Sequence, residues 1–262
     1  LCENQPWERA LIMAWRKRGC GELTAVPHSA MRFWDMRYFY DSRIYKGVYA
    51  GNTPFPDFIA ANSKDCEEFL INSGYPTKQI IRLEALRYLH LLKREGASVT
   101  SSKKLRVLVL GDYLESATLR VMDLLSGAYQ STRELVDITV KAHPNFSVES
   151  QSFPNLNMEI GGNDLHSLLS ECDIAFCSNL TSAALDAYAY GVKVIIALDD
   201  KGLNLSPLRG KESVTFVSTS EHLTTILKHF YNQPRYPASL QDQDVFYLSS
   251  NLAKWRRALE IS

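Results

Sequence analysis

The sequence predicts an α/β fold: a doubly wound, Rossmann-like parallel sheet in the C-terminal half, joined to a partial N-terminal domain. Three observations carry this. From residue 105 onward, short β-branched runs alternate with helical stretches, the pattern produced by a parallel sheet with right-handed crossovers. Residues 96–104 are polar and rich in small side chains, a linker composition. The length of 262 residues suits about two domains at ~100–200 residues each.

Read in order, the chain opens with an amphipathic helix. Pro6 is a favourable first helical residue, Trp7, Leu11, Ala14, Trp15 and Arg18 recur at helical spacing, and Gly19 and Gly21 stop the run. Residues 26–58, rich in aromatics, Pro and Gly, read as loops. Ser63 then caps a helix to about Ser73, ended by Gly74 and Pro76. Over 78–94, Ile80, Ile81, Leu83, Leu86, Leu89 and Leu92 fit either one long helix or a strand followed by a helix. Strands are predicted at 105–110, 136–141, 173–177, 193–197 and 214–217, with a weaker one near 157–160 and helices between. Phe246, Leu248, Leu252, Trp255 and Leu259 follow a polar turn at 241–244 and predict a final helix over 243–260, packed back on the first domain.

Lys plus Arg and Asp plus Glu each number 29, so no positive field exists to hold a nucleic-acid backbone. Nucleic acid is excluded as a partner, and any anion site must be local. No apolar run approaches the ~18–20 residues of a membrane span. The five cysteines, Cys2, Cys20, Cys66, Cys172 and Cys177, are odd in number and form no CxxC pair. That argues against a disulfide framework or a zinc site, so no metal is expected and a reducing cytoplasm fits. The chain opens without a start Met or signal peptide and is expected to be a fragment.

In an open α/β sheet, ligands sit beyond the carboxyl ends of the strands, where loops enter helix N-termini. Three such loops stand out: Gly111, Asp112 and Tyr113; His143, Pro144 and Asn145; and Ser178, Asn179, Leu180, Thr181 and Ser182. The third is the strongest anion candidate, because hydroxyls and backbone N–H groups gather at a helix start without needing a lysine. Asp186, four residues beyond Ser182, shares its helical face and can accept a ribose hydroxyl; the plain alternative is a solvated side chain behind a capping sequence. Lys141 adds charge beside His143, which Pro144 holds rigid and which can donate to a phosphate oxygen or a base carbonyl. Gly111 permits close backbone approach, but neither GxGxxG nor a P-loop occurs, which disfavours nicotinamide and P-loop chemistry. The three loops are expected to converge on one crevice.

The N-terminal part places Glu3 and Trp7, then His28, Arg32, Asp35 and Arg37, among aromatics. Rings stack on sugar faces, and a carboxylate can deprotonate a hydroxyl. The plain alternative is that Trp7, Trp34 and the tyrosines are core.

The runs CENQPWE at 2–8, VPHSAMRFWDMRYFYD at 26–41, VLGDY at 109–113, KAHPN at 141–145, SNLTSAALDAYAYG at 178–191 and LNLSPLRG at 203–210 resemble a family of bacterial surface-carbohydrate biosynthesis proteins, over nearly the whole chain. A looser resemblance is to GT-B glycosyltransferases that use CMP-activated acidic sugars, the sialyltransferases and Kdo transferases. Their His-Pro motif contacts the CMP and a Ser-Ser or Thr-Ser pair binds its phosphate. By position, these fall on His143 with Pro144 and on Thr181 with Ser182.

The resemblance implies a GT-B-like fold and metal-independent transfer, with no cofactor beyond a CMP-linked nucleotide-sugar donor as substrate. It implies a catalytic acid in the N-terminal domain, for which Glu3 and Asp35 are the candidates. Gly111, Asp112, Lys141, Ser178, Asn179 and Asp186 complete the expected nucleotide-binding set, and Trp7, His28 and Arg32 the acceptor side. The implied organisation is a partial acceptor-side domain over 1–95, a nucleotide-sugar-binding domain over 103–240 and a C-terminal helix over 241–262. The implied function is transfer of Kdo or another nonulosonate to a glycan or lipid-linked glycan acceptor of surface polysaccharide (lipopolysaccharide or capsule). The expected setting is cytoplasmic or peripheral at the inner membrane, with other glycan-assembly proteins. Two other readings stay open: a UDP-sugar epimerase of the same architecture, and a non-catalytic subunit of a polysaccharide assembly complex.

Overall fold

The computed structural model describes residues 3–32, 35–38, 41–46, 53–93, 103–162, 164–199, 201–234 and 245–260. Cys2, Trp34, most of the expected linker at 96–104 and the turn at 241–244 lie outside them. The chain divides into two compact units, the first comprising Leu1–Leu92 and Gln243–Ser262, the second Lys93–Asp242.

The first unit opens with helix α1, Pro6–Arg18. The buried Glu8 carboxylate accepts the backbone N–H groups of Glu3 and Gln5, which satisfies donors at the helix start. Gly19, at φ 64°, closes the helix by donating to Arg16 O. Strands β1 (Thr24–Ala25), β2 (Phe58–Ala61) and β3 (Ile80–Arg82) form a parallel sheet in the order β1-β2-β3. Strands β1 and β2 flank the stretch 26–58, whose described residues are loop as expected apart from a 3-10 turn, Ser42–Tyr45, and the first residue of β2. The described part of 78–94 is a strand followed by a 3-10 turn, Leu86–Lys93. Helix α2, Lys64–Asn72, is capped by Ser63, whose hydroxyl accepts the Cys66 N–H at 3.0 Å. Ala25, Met31, Tyr38, Ile59, Cys66, Leu70 and Tyr75 pack as the core.

Residues 245–260 belong to the same unit. Tyr247 donates its N–H to Asn62 O at 2.8 Å and accepts the Ala85 N–H at 2.9 Å, and the Phe246 ring stacks on Tyr88 at 3.8 Å. The expected helix over 243–260 shrinks to α7, Ala253–Ala258. The reason is that the residues before it spend their backbone groups on Asn62 and Ala85, and Leu252 turns the chain at φ 51°. Buried Glu84 then caps α7, accepting the N–H groups of Lys254 at 2.9 Å and Trp255 at 3.1 Å.

The second unit alternates strand and helix: β4 (Leu105–Leu110), α3 (Glu115–Tyr129), β5 (Val136–Lys141), β6 (Met158–Ile160), α4 (Leu165–Glu171), β7 (Ile174–Ser178), α5 (Ala183–Ala189), β8 (Lys193–Ala197), β9 (Val214–Val217) and α6 (Ser220–Tyr231). All pairings are parallel, in the order β6-β5-β4-β7-β8-β9. The chain winds outward one way from β4 and then returns to β7 on its other side. A topological switch point therefore falls between β4 and β7. Every residue of β7 is buried, as a central strand covered on both faces requires. Val107, Val109, Ile174, Phe176 and Ile195 of the sheet pack with Met122 and Leu125 of α3 and Leu223 and Leu227 of α6. Each fully buried side chain of this size contributes about 1.5–3 kcal/mol. Gly127 lets the two helices close up, because a Cβ there would lie 2.3 Å from Ser220 Oγ. Among the described residues, no helix is long and apolar enough to cross a membrane.

Candidate nucleotide site

In unit 2 the register sets Leu110 opposite both Lys141 and Cys177. The loops leaving β4, β5 and β7 therefore start side by side at the carboxyl edge. The first two touch through the backbone: Gly111 donates its N–H to Lys141 O at 2.9 Å, and a Cβ on Gly111 would lie 2.8 Å from His143 N. Only glycine fits that approach. Across the switch point, the hydroxyl of Ser178 donates to Asp112 Oδ2, while Asp112 Oδ1 accepts the Leu114 N–H at 3.0 Å. Ser178 Oγ accepts the Leu180 N–H at 3.1 Å. The turns around Asp112, His143 and Thr181 thus meet at one rim.

The rim also takes in the loop after β8. Asn179 Nδ2 donates to Leu203 O at 2.9 Å, and Asn204 and the buried Ser206 shape that loop by accepting the N–H groups of Ser206 and Leu208, each at 3.1 Å. Thr181 is buried, its hydroxyl accepting the Ala183 N–H at 3.4 Å. Ser182 is half-buried and stands at the N-cap of α5, its own side chain making no capping bond. Asp186 is buried one turn further on, not a solvated side chain. Lys141 is half-buried, its ammonium 3.4 Å from Ala142 O, and Pro144 is exposed. His143 accepts the Asn145 N–H at Nδ1, 3.1 Å away, so a neutral ring carries its proton on Nε2 and presents a donor.

Tyr113, part of the first loop but outside the expected nucleotide-binding set, also stands at this rim. The residue is 44% exposed, and its ring meets the His143 ring edge-on at 6.5 Å. The sequence signal was an aromatic residue directly after Gly111 and Asp112, with nothing local to show that β5 would deliver His143 beside it.

In unit 1, Arg37 gathers both candidate acids. Its Nε and Nη2 donate to Asp35 Oδ1 at 2.9 Å and Oδ2 at 2.6 Å, and its Nη1 to Glu3 Oε2 at 3.1 Å. The hydrogen bond to Asp35 raises the guanidinium pKa above its ordinary value, against the opposing effect of burial. Asn4, at φ 55°, donates its side-chain N–H to Arg37 O and so anchors the turn that carries Glu3. Asp35 has both oxygens bound and a side chain 10% exposed, whereas the Glu3 side chain is 33% exposed. Trp7 stands exposed on α1, His28 exposed after β1 and Arg32 half-buried. Among the described residues, no group of His, Cys, Asp and Glu is placed to hold a metal ion.

No protein-family model and no curated protein matches the sequence. The fold does have solved relatives in shape: the chain has the GT-B fold, two units each built on a parallel sheet, of which the second is Rossmann-like. Among similar structures is the S. aureus MnaA–UDP co-structure, at 11% identity and a TM-score of 0.58, matched over 97% of this chain and 79% of that one. A putative UDP-N-acetylglucosamine 2-epimerase from Listeria monocytogenes matches at 15% identity and a TM-score of 0.58, over 95% of this chain and 69% of that one. Anabaena HepE in complex with UDP and glucose matches at 13% identity and a TM-score of 0.50, over 90% of this chain and 70% of that one.

Proposed function

We propose that this protein is a metal-independent glycosyltransferase that takes a nucleotide sugar at the carboxyl edge of unit 2 and transfers the sugar to a glycan acceptor. The observation that carries the reading is the meeting of the three loops at the switch point, tied together by the hydrogen bonds from Ser178 to Asp112 and from Gly111 to Lys141 O. In an open parallel sheet this is where a nucleotide is held. Thr181, Ser182, Lys141 and the Nε2–H of His143 would offset the charge of the departing nucleotide, the interaction that matters most when a phosphate leaves.

Unit 1 would supply the base that takes the proton of the acceptor hydroxyl. Glu3 suits this better than Asp35, because Asp35 commits both oxygens to Arg37. The His143–Pro144 and Thr181–Ser182 pairs favour a CMP-linked nonulosonate such as Kdo as donor, with a surface polysaccharide as acceptor and peripheral work at the inner membrane.

A second reading has its own support: two of the similar structures are a UDP complex and a putative UDP-sugar 2-epimerase. Calorimetry with CMP, UDP and GDP tests the donor. Binding of CMP in preference to UDP supports the nonulosonate reading, and tight UDP binding without CMP removes it. Product analysis without acceptor separates the chemistries, since an epimerase interconverts sugars under those conditions and a transferase does not.

A further inference from the structure

We infer that Asp112 is a positioning residue, with Ser178 as its partner, and that the two fix the nucleotide-facing loops of unit 2 without touching the ligand. The inference rests on the nucleotide reading above. The side chain of Asp112 lies in a residue with 0% exposure, so neither of its oxygens reaches solvent or a bound molecule. Oδ1 accepts the Leu114 N–H at 3.0 Å and fixes the loop entering α3. Oδ2 accepts the proton of the Ser178 hydroxyl, and Ser178 Oγ accepts the Leu180 N–H at 3.1 Å, fixing the loop that leads to Thr181 and Ser182.

A hydroxyl has one proton. With that proton directed at Asp112, Ser178 has no donor left for a phosphate oxygen. The path from the Leu114 N–H through Asp112 and Ser178 to the Leu180 N–H therefore ties the β4 loop to the β7 loop across the switch point. Thr118 holds the same residue from α3, its Oγ1 accepting the Asp112 N–H at 2.8 Å and donating to Asp112 O at 3.2 Å. A buried carboxylate is tolerated only while its hydrogen bonds are made. Sliding either loop breaks them, so the separation of the two loops is held to one value.

The test is titration calorimetry with CMP, UDP and GDP on the full chain, with four variants checked for folding by circular dichroism. Asp112→Asn keeps the shape but turns one acceptor into a donor, and Ser178→Ala removes the hydroxyl. Both are expected to weaken binding of whichever nucleotide the unaltered chain takes, by about tenfold or more, the scale of a lost buried hydrogen bond to a charged group. Ser178→Thr keeps the hydroxyl and is expected to restore the affinity. Thr132→Val is the control. It loses a buried hydrogen bond of similar kind, to Ala128 O at 3.0 Å, at the far end of α3; it should lower the melting temperature and leave the affinity as it was. Amide hydrogen exchange at Leu114 and Leu180 in the unaltered chain needs no variant, and both amides should gain protection together when nucleotide binds. Full affinity in Asp112→Asn and Ser178→Ala, or free exchange at both amides, overturns the inference and leaves the nucleotide reading standing. An unaltered chain that binds none of CMP, UDP and GDP removes that reading and the inference with it.

Discussion

The candidate carboxylates of the two units, Asp112 in one and Glu3 with Asp35 in the other, are held in different ways. In unit 2, among the described residues, Asp112 is met by neutral donors alone: a hydroxyl and a backbone N–H. In unit 1, Glu3 and Asp35 share one guanidinium. A rim built from hydroxyls, amides and backbone N–H groups can take an anion without first giving up an internal ion pair. Asp35 commits both oxygens to Arg37, whereas Glu3 gives it one. Under the proposed function, anion binding would fall to unit 2 and proton abstraction to unit 1.

The largest effect expected is on that proton. Glu3→Gln should lower turnover by ~10²–10⁴-fold, the usual loss with a general base, while leaving nucleotide affinity untouched. Asp35→Asn should cost roughly tenfold, because it loosens Arg37 and not the base itself. Steady-state kinetics with both variants decide the matter, and the reverse order would make Asp35 the base. Next in size, replacing Thr181 with Val and Ser182 with Ala should weaken nucleotide binding by about 10–100-fold, since a hydrogen bond to a charged group is worth ~1.5–3 kcal/mol. Unchanged calorimetric affinity would move the phosphate off this loop and blur the contrast.

A smaller effect tests the contact between the first two loops. Gly111→Ala puts a methyl group 2.8 Å from His143 N, and the strain should cost about 1–3 kcal/mol. A thermal melt identical to that of the unaltered chain would mean that the β5 loop gives way freely. The smallest effect concerns unit 1 alone. Burial, and then the hydrogen bond to Glu67, push the Tyr247 phenol up to about 12, from an ordinary value of ~10. Because the folded value is the higher one, the stability that the neutral phenol adds is complete below about pH 10 and fades as the pH climbs from there toward 12. Tyr247→Phe has no such alkaline loss. The gap in melting temperature between the two chains should close across this window, and a constant gap would mean that the phenol is not held in its neutral form.

How well the sequence could be read differs between the units for a physical reason. A strand covered on both faces, such as β7 with Ile174, Ala175, Phe176 and Cys177, shows as an unbroken apolar run bounded by polar residues. The strands of unit 1 give a weaker signal, although β2 is likewise an apolar run, bounded by Asp57 and Asn62. β1 has two residues, β3 has three, and β2 is Phe58, Ile59, Ala60 and Ala61, half of it alanine. Runs that short fall below the length at which a period of two can be told from chance. The apolar spacing over 246–259 was genuine, but it was spent on Tyr88, Asn62 and Ala85, and only six residues were left to coil as α7.

The candidate site divides along the same line. That the loops after β4, β5 and β7 carry anion-friendly groups follows from the residues themselves. That Ser178 gives its proton to Asp112, 66 positions away, and that Arg37 joins Asp35 to Glu3, 34 positions away, does not. Periodicity is a local property, because side-chain direction repeats every two residues in a strand and every 3.6 in a helix, so the chain alone marks the longer strands and helices of unit 2. Strand order and register are set by which faces can be buried together over the whole sheet, and that choice, made only in three dimensions, decides which loops become neighbours and which of their hydroxyls remain available to a ligand.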